Sequence, residues 1–64
     1  MRHEDMATLM EIELDLHNGR NKLRKLSDYS EVEDIKECDK LLVEALDIVA
    51  NMRQQIFHKY GFFV

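Results

Sequence analysis

The side chains with chemical potential in this chain are three histidines, one cysteine and thirteen carboxylates, and their spacing decides what each could do. An antiparallel hairpin would bring His3 and His58 together beside Glu4 or Asp5, which makes a surface metal site geometrically conceivable. Neither histidine sits at a metal-ligand spacing, and His17 has Glu13 as its one same-face neighbour, so no metal is expected. Cys38 falls on an apolar helical stripe, where a buried thiol is inert, and a single thiol makes no internal disulfide. Glu11 and Asp15 pair as on any charged helix face, without the cavity that would shift a carboxyl toward acid–base work. These residues predict no enzyme, no cofactor and no metal.

The elements that position them are two helices. Leu9, Ile12, Leu16, Gly19, Leu23 and Leu26 recur at alternating spacings of three and four, as do Ile35, Cys38, Leu42, Ala45, Val49, Met52 and Ile56. Reversal of the chain between Ser27 and Ser30 matches the series layer by layer: Leu26 with Val32, Leu23 with Ile35, Gly19 with Cys38, Leu16 with Leu42, Ile12 with Ala45, Leu9 with Val49. The expected fold is all-α, one antiparallel helical hairpin over 1–64. Helix 1 covers about 4–26, the turn 27–30, helix 2 about 31–60 and an aromatic tail 61–64. Glu4 and Asp5 suit the positive end of helix 1, Thr8 with Glu11 offers an alternative start, and Arg20, Lys22, Arg24 and Lys25 suit its negative end. Ser30 with Glu33 reads as a capping box for helix 2, and Gly61 as its terminator. Asn18-Gly19 is a break signal, but the stripe keeps phase through it, which predicts a continuous helix. The small layers Gly19–Cys38 and Ile12–Ala45 would then let a neighbouring helix approach.

A chain of 64 residues buries a marginal core and usually needs a staple. With no disulfide or zinc cluster, self-association remains. Leu41, Leu46 and Ile48 flank the stripe of helix 2, which makes its apolar surface wider than one facing helix covers, while Glu37, Lys40, Glu44, Asp47, Asn51 and Gln54 form a solvated side. The expectation is a homodimeric four-helix bundle with Leu41, Leu46, Ile48, Gly19 and Cys38 in the dimer interface. The alternative is a hetero-complex in which these flanks cover another protein. A net charge of −4 argues against DNA and against general nucleic-acid attraction, though a local basic patch remains open. No apolar run approaches a bilayer span, and the start of the chain is too acidic for a signal segment, so no membrane is expected and a cytoplasmic location follows.

Two surfaces remain for a partner. Met10, Leu14, His17, Asn18, Asn21, Arg24 and Lys25 lie away from the main stripe of helix 1, and Leu14 is anomalous at what should be the most exposed heptad position. At the other end, Phe57, Tyr60, Phe62 and Phe63 place four of the five aromatics within the last eight residues. These rings either close the bundle over Met1, Met6 and Met52 or form a hot-spot patch. The terminal Phe62-Phe63-Val64 also resembles a carboxylate-capture ligand. The leading expectation is a small non-enzymatic regulator or inhibitor acting by protein–protein binding through Met10, Leu14, His17, Phe57, Tyr60, Phe62 and Phe63.

In length, hairpin plan and register the chain resembles plasmid copy-number regulators of the Rop type. That likeness implies an RNA-binding regulator using the outer faces of helix 1, through Leu14, Asn18, Asn21 and Lys25. Ile35-Lys36-Glu37-Cys38-Asp39, followed by Lys40-Leu41-Leu42, is similar at the aspartate alone to the Ser-Gln-x-Leu-Asp motif of small helical-hairpin phosphatases that act on response regulators. Without the serine and glutamine that similarity carries no activity.

Overall fold

The computed structural model describes residues 2–61, which form α1 (Asp5–Arg24) and α2 (Glu33–Tyr60). The helices pack against each other as an antiparallel hairpin, a rod of 45 × 15 × 14 Å.

At the start of α1 the backbone N–H of Arg2 donates to the Asp5 carboxylate at 2.8 Å, so the acidic first turn is fixed by Asp5, and Thr8 with Glu11 lies inside the helix. The helix passes unbroken through Asn18-Gly19. It ends before Leu26, because Lys25 and Leu26 donate to the carbonyls three residues back, Lys22 and Leu23, the tightening by which helix ends satisfy their last acceptors.

The capping box expected at Ser30 does not form. Glu31 and Val32 both donate to the Asp28 carbonyl, so the chain is still turning at Ser30, and the extended residue that opens α2 is Val32, whose carbonyl accepts from Ile35 and Lys36. No side chain caps this end; Glu33 and Asp34 in the first turn face the positive end of the helix dipole instead. At the far end Gly61 has φ of 76° and donates to the Phe57 carbonyl at 2.7 Å. That left-handed φ favours glycine.

Met6, Leu9, Val49 and Ile56 are buried, with Leu16, Met52 and Phe57 packed against them. The dry core thus sits at the end of the rod remote from the turn. Along the rest of the rod the less exposed positions at three–four spacing define the seam: Met6, Leu9, Glu13, Leu16, Arg20 and Leu23 on α1, and Ile35, Asp39, Leu42, Leu46, Val49, Arg53 and Ile56 on α2, with Gly19, Val43, Ala45, Ala50, Met52 and Phe57 half-buried on its flanks. Both series keep the three–four alternation of packed helices.

This seam corrects the expected layers. It shares Leu9, Leu16, Leu23, Ile35, Leu42, Val49 and Ile56 with the apolar stripe, but the positions between them are polar or charged except at Leu46. Cys38 is exposed, contrary to its expected burial, and so are Ile12 and Leu26. A methyl group placed on Gly19 would meet Leu42 Cδ1 at 3.9 Å and nothing closer, so Gly19 faces Leu42 and not Cys38.

Candidate functional site

Two interhelical ion pairs occupy the charged seam positions. Arg20 Nε donates to Asp39 Oδ1 at 2.9 Å, with a longer second contact from Nη2 to Oδ2 at 3.4 Å. Nearer the middle of the rod Arg53 Nε donates to Glu13 Oε1 at 2.9 Å. Glu13 and Arg53 are not in the same layer. They meet because side chains tilt toward the N-terminus of their own helix, so on antiparallel helices the two lean toward each other.

The hydrogen bond from Arg20 holds the Asp39 carboxyl below its ordinary value of 3.8, against the opposing effect of desolvation. The charges of Arg20 and Arg24 and a hydrogen bond from Tyr29 act in the same direction. The guanidinium of Arg20 is raised in turn, first by the hydrogen bond to Asp39. A carboxyl whose folded pKa lies below its unfolded one binds fewer protons folded than unfolded. Its stabilisation is therefore complete above pH 3.8 and is lost as pH falls through the lowered folded value. Circular-dichroism melts from about pH 7 to about pH 2 should show the native chain above Asp39→Asn by a constant margin until about pH 4, with the gap closing below. A gap that persisted in acid would mean that the carboxylate is not what the hairpin uses.

On either side of this seam the hairpin presents a different face. Because the helices run antiparallel, residues one position before a seam residue fall on the same side of the pair in both helices, and residues one position after fall on the other. The first face carries Ile12 and Gly19 from α1, and Cys38, Ala45 and Met52 from α2. Leu41 and Ile48 extend it and are 53% and 60% exposed. Leu46, expected among these flanking residues, is half-buried in the hairpin seam instead.

The second face carries Met10, Leu14 and His17 from α1, with Ala50 and Phe57 from α2. Met10 and Leu14 are 54% and 60% exposed, and Phe57 is half-buried against the core. Two shallow grooves flank Met6 here. One, of about 240 Å³, runs past Ala50, Arg53, Gln54 and Phe57; the other, of about 400 Å³, lies among His3, Glu4, Ala7 and Met10. Met10 and Phe57 thus stand on opposite sides of Met6, whereas Leu14 and His17 line neither groove. Tyr60 lies at the end of the rod, where its ring meets His3 edge-on with centroids 5.6 Å apart. Phe62 and Phe63 lie outside the described residues.

No family model, curated protein or solved structure matches this chain. The likeness to Rop-type hairpins therefore rests on plan alone, and the likeness to small phosphatases on Asp39, which here is bound by Arg20. Among the described residues no group of three or more histidine, cysteine or acidic side chains is placed to hold a metal ion, and no helix is long and apolar enough to cross a membrane.

The seam pairs were missed by reasoning from the sequence, although a signal for them exists. Glu13 and Arg20 continue the spacing of Met6 and Leu9, and Asp39 and Arg53 continue that of Leu42 and Val49. Opposite charges at heptad positions of two helices are a signature of interhelical pairing.

Proposed function

We propose that the chain is a non-enzymatic regulator that dimerises through its apolar face and acts by covering a surface on another protein with the opposite one. The observation that carries this reading is the phase of the apolar stripe. On each helix it is centred between the partner helix and the open first face, which is the arrangement a helix needs when it has two helical neighbours, as in a four-helix bundle. A single hairpin supplies one.

Surface area supports the same reading. A compact monomer of this mass exposes about 4,300 Å², whereas this rod exposes 5078 Å². The surplus is about 800 Å², roughly what one partner buries in a standard protein interface. Doubling the rod sideways removes that surplus and covers Ile12, Leu41 and Ile48.

A dimer formed in this way leaves Met10, Leu14, His17 and Phe57 outward, one apolar patch on each side of the assembly. Met10 and Phe57 border the two grooves and Leu14 extends the same face beyond them; apolar side chains grouped in this way mark interaction sites more often than scattered surface leucines do, and no constellation among the described residues offers a reaction. A regulator of this kind works by occupancy.

The test is affinity capture from the native cell with and without nuclease, followed by binding of the purified partner to the native chain and to Leu14→Asp. The expected result is one protein recovered in both arms, binding at fixed stoichiometry, with affinity lost in Leu14→Asp and only weakly dependent on salt. Recovery that vanishes with nuclease, or affinity that falls steeply with salt and is lost in Lys25→Ala, would replace protein by RNA as the ligand.

A further inference from the structure

The first face also carries a charge pattern that specifies how two copies meet. Resting on the dimer reading above, we propose that the two-fold axis runs perpendicular to the helices and crosses α2 between Ala45 and Ile48, so that α2 packs antiparallel on α2 of a second copy.

The face of α2 continues beyond its apolar residues at the same three–four spacing, from Asp34 at one end to Gln55 and Lys59 at the other. An axis between Ala45 and Ile48 makes each residue meet the one equally far on the other side, as a two-fold interface requires. Ala45 then faces Ile48 of the partner subunit, a small residue against a large one. Leu41 faces Met52 of the partner subunit. Asp34 faces Lys59 of the partner subunit, and the symmetry repeats every pair.

An independent check comes from α1. Gly19 lies level with Leu42 and Arg20 with Asp39, so the axis that crosses α2 between Ala45 and Ile48 crosses α1 near Glu13 and Leu14. On the same face of α1 this axis brings Asp5 opposite Lys22 of the partner subunit. Four pairs of opposite charge therefore close the corners of the assembly, and the two from α1 come from residues that did not place the axis; close to the axis Ile12 faces Asp15 of the partner subunit, at the edge of the apolar contact.

The other face-to-face arrangement has its axis parallel to the helices and lays α2 on α1 of the second copy. There Ile48 meets Ile12 and Leu41 meets Gly19, but Asp34 meets Leu26 and Cys38 meets Lys22; Asp15 lies against an apolar residue in either arrangement, and what separates the two is that no opposite charges face one another in this one. Rim pairs of this type contribute little affinity, but they set register and exclude wrong partners.

Charge reversal tests the assignment. Asp34→Lys and Lys59→Asp, each alone, place like charges opposite one another twice per dimer and should weaken homodimerisation about tenfold in sedimentation equilibrium at low salt. An equimolar mixture of the two variants restores both pairs and should form a heterodimer in preference to either homodimer. Cross-linking provides a second readout that does not depend on charge. Gln55→Cys should form a disulfide with Cys38 of the partner subunit under mild oxidation, and Gln55→Cys with Cys38→Ser should not. Native affinity in both charge variants, or cross-linking of Cys38 through Lys22→Cys instead, would overturn the perpendicular axis while leaving the dimer intact. A native chain that sediments as a monomer at tens of micromolar would remove the dimer itself.

Discussion

Ile48→Asp is expected to leave the chain monomeric at concentrations where the native chain is dimeric. Ile48 is 60% exposed in the isolated hairpin, so the substitution removes little that holds α1 to α2, and aspartate on a solvated helix surface costs only a few tenths of a kcal/mol in propensity. In the proposed dimer the same position lies beside the two-fold axis. Fully burying an isoleucine is worth about 1.5–3 kcal/mol; covering the 60% still exposed contributes about 1–2 kcal/mol, and symmetry counts it twice. The loss is about 2–4 kcal/mol before any cost of desolvating the carboxylate, equivalent to roughly one to three orders of magnitude in Kd. Sedimentation equilibrium reads this directly. Melting gives a second reading, because the midpoint of the proposed dimer should rise with protein concentration and that of the variant should not. Unchanged sedimentation of Ile48→Asp would mean that the apolar face is open in the working molecule, and the proposed bundle would fail with it.

The helices were legible in the sequence, whereas the direction in which each one faces was not, and Gly19 and Cys38 show why. Apolar periodicity records the average direction from which water is excluded. When a helix has two neighbours, that direction points between them. In the proposed dimer Leu16, Leu42 and Val49 would serve both contacts, which is why they sit on the stripe and in the seam alike, but Ile12 and Cys38 belong to the open side, with Gly19 and Met52 half-buried at its edge, and reading all four as hairpin layers turned each helix by about half a position. The seam residues that complete the hairpin are Glu13, Arg20, Asp39 and Arg53, which a search for apolar spacing passes over. Ser30 failed for a local reason, since its capping pattern with Glu33 competes with successive turns anchored on the Asp28 carbonyl. Gly61 was readable because a single left-handed residue after a long periodic segment has few other uses. The candidate partner surface was half legible. Leu14 was conspicuous at an outward position, while its sharing of a face with Phe57 depends on the antiparallel packing and on the phase of both helices.

Ile56→Ala is expected to unfold much of the hairpin, and its effect separates tertiary from quaternary stabilisation. Ile56 is 2% exposed and is packed in the cluster formed with Met6, Leu9 and Val49. Truncating an isoleucine in a dry core costs about 2–5 kcal/mol, the upper part of that range applying where the surroundings cannot collapse into the gap. Here two helices meet with Phe57 and Met52 around the site, and a chain of 64 residues has a total stability of roughly 3–10 kcal/mol. The substitution therefore removes a large share of what exists. The same change at Ile35, half-buried near the turn, should cost less, because less of that side chain leaves water on folding. Circular dichroism at high dilution distinguishes the cases: Ile56→Ala should lose helix at every concentration, whereas Ile48→Asp should match the native chain when both are dilute. Near-native melting of Ile56→Ala at high dilution would place the energetic centre of the hairpin at the Arg20–Asp39 end and not in the cluster remote from the turn.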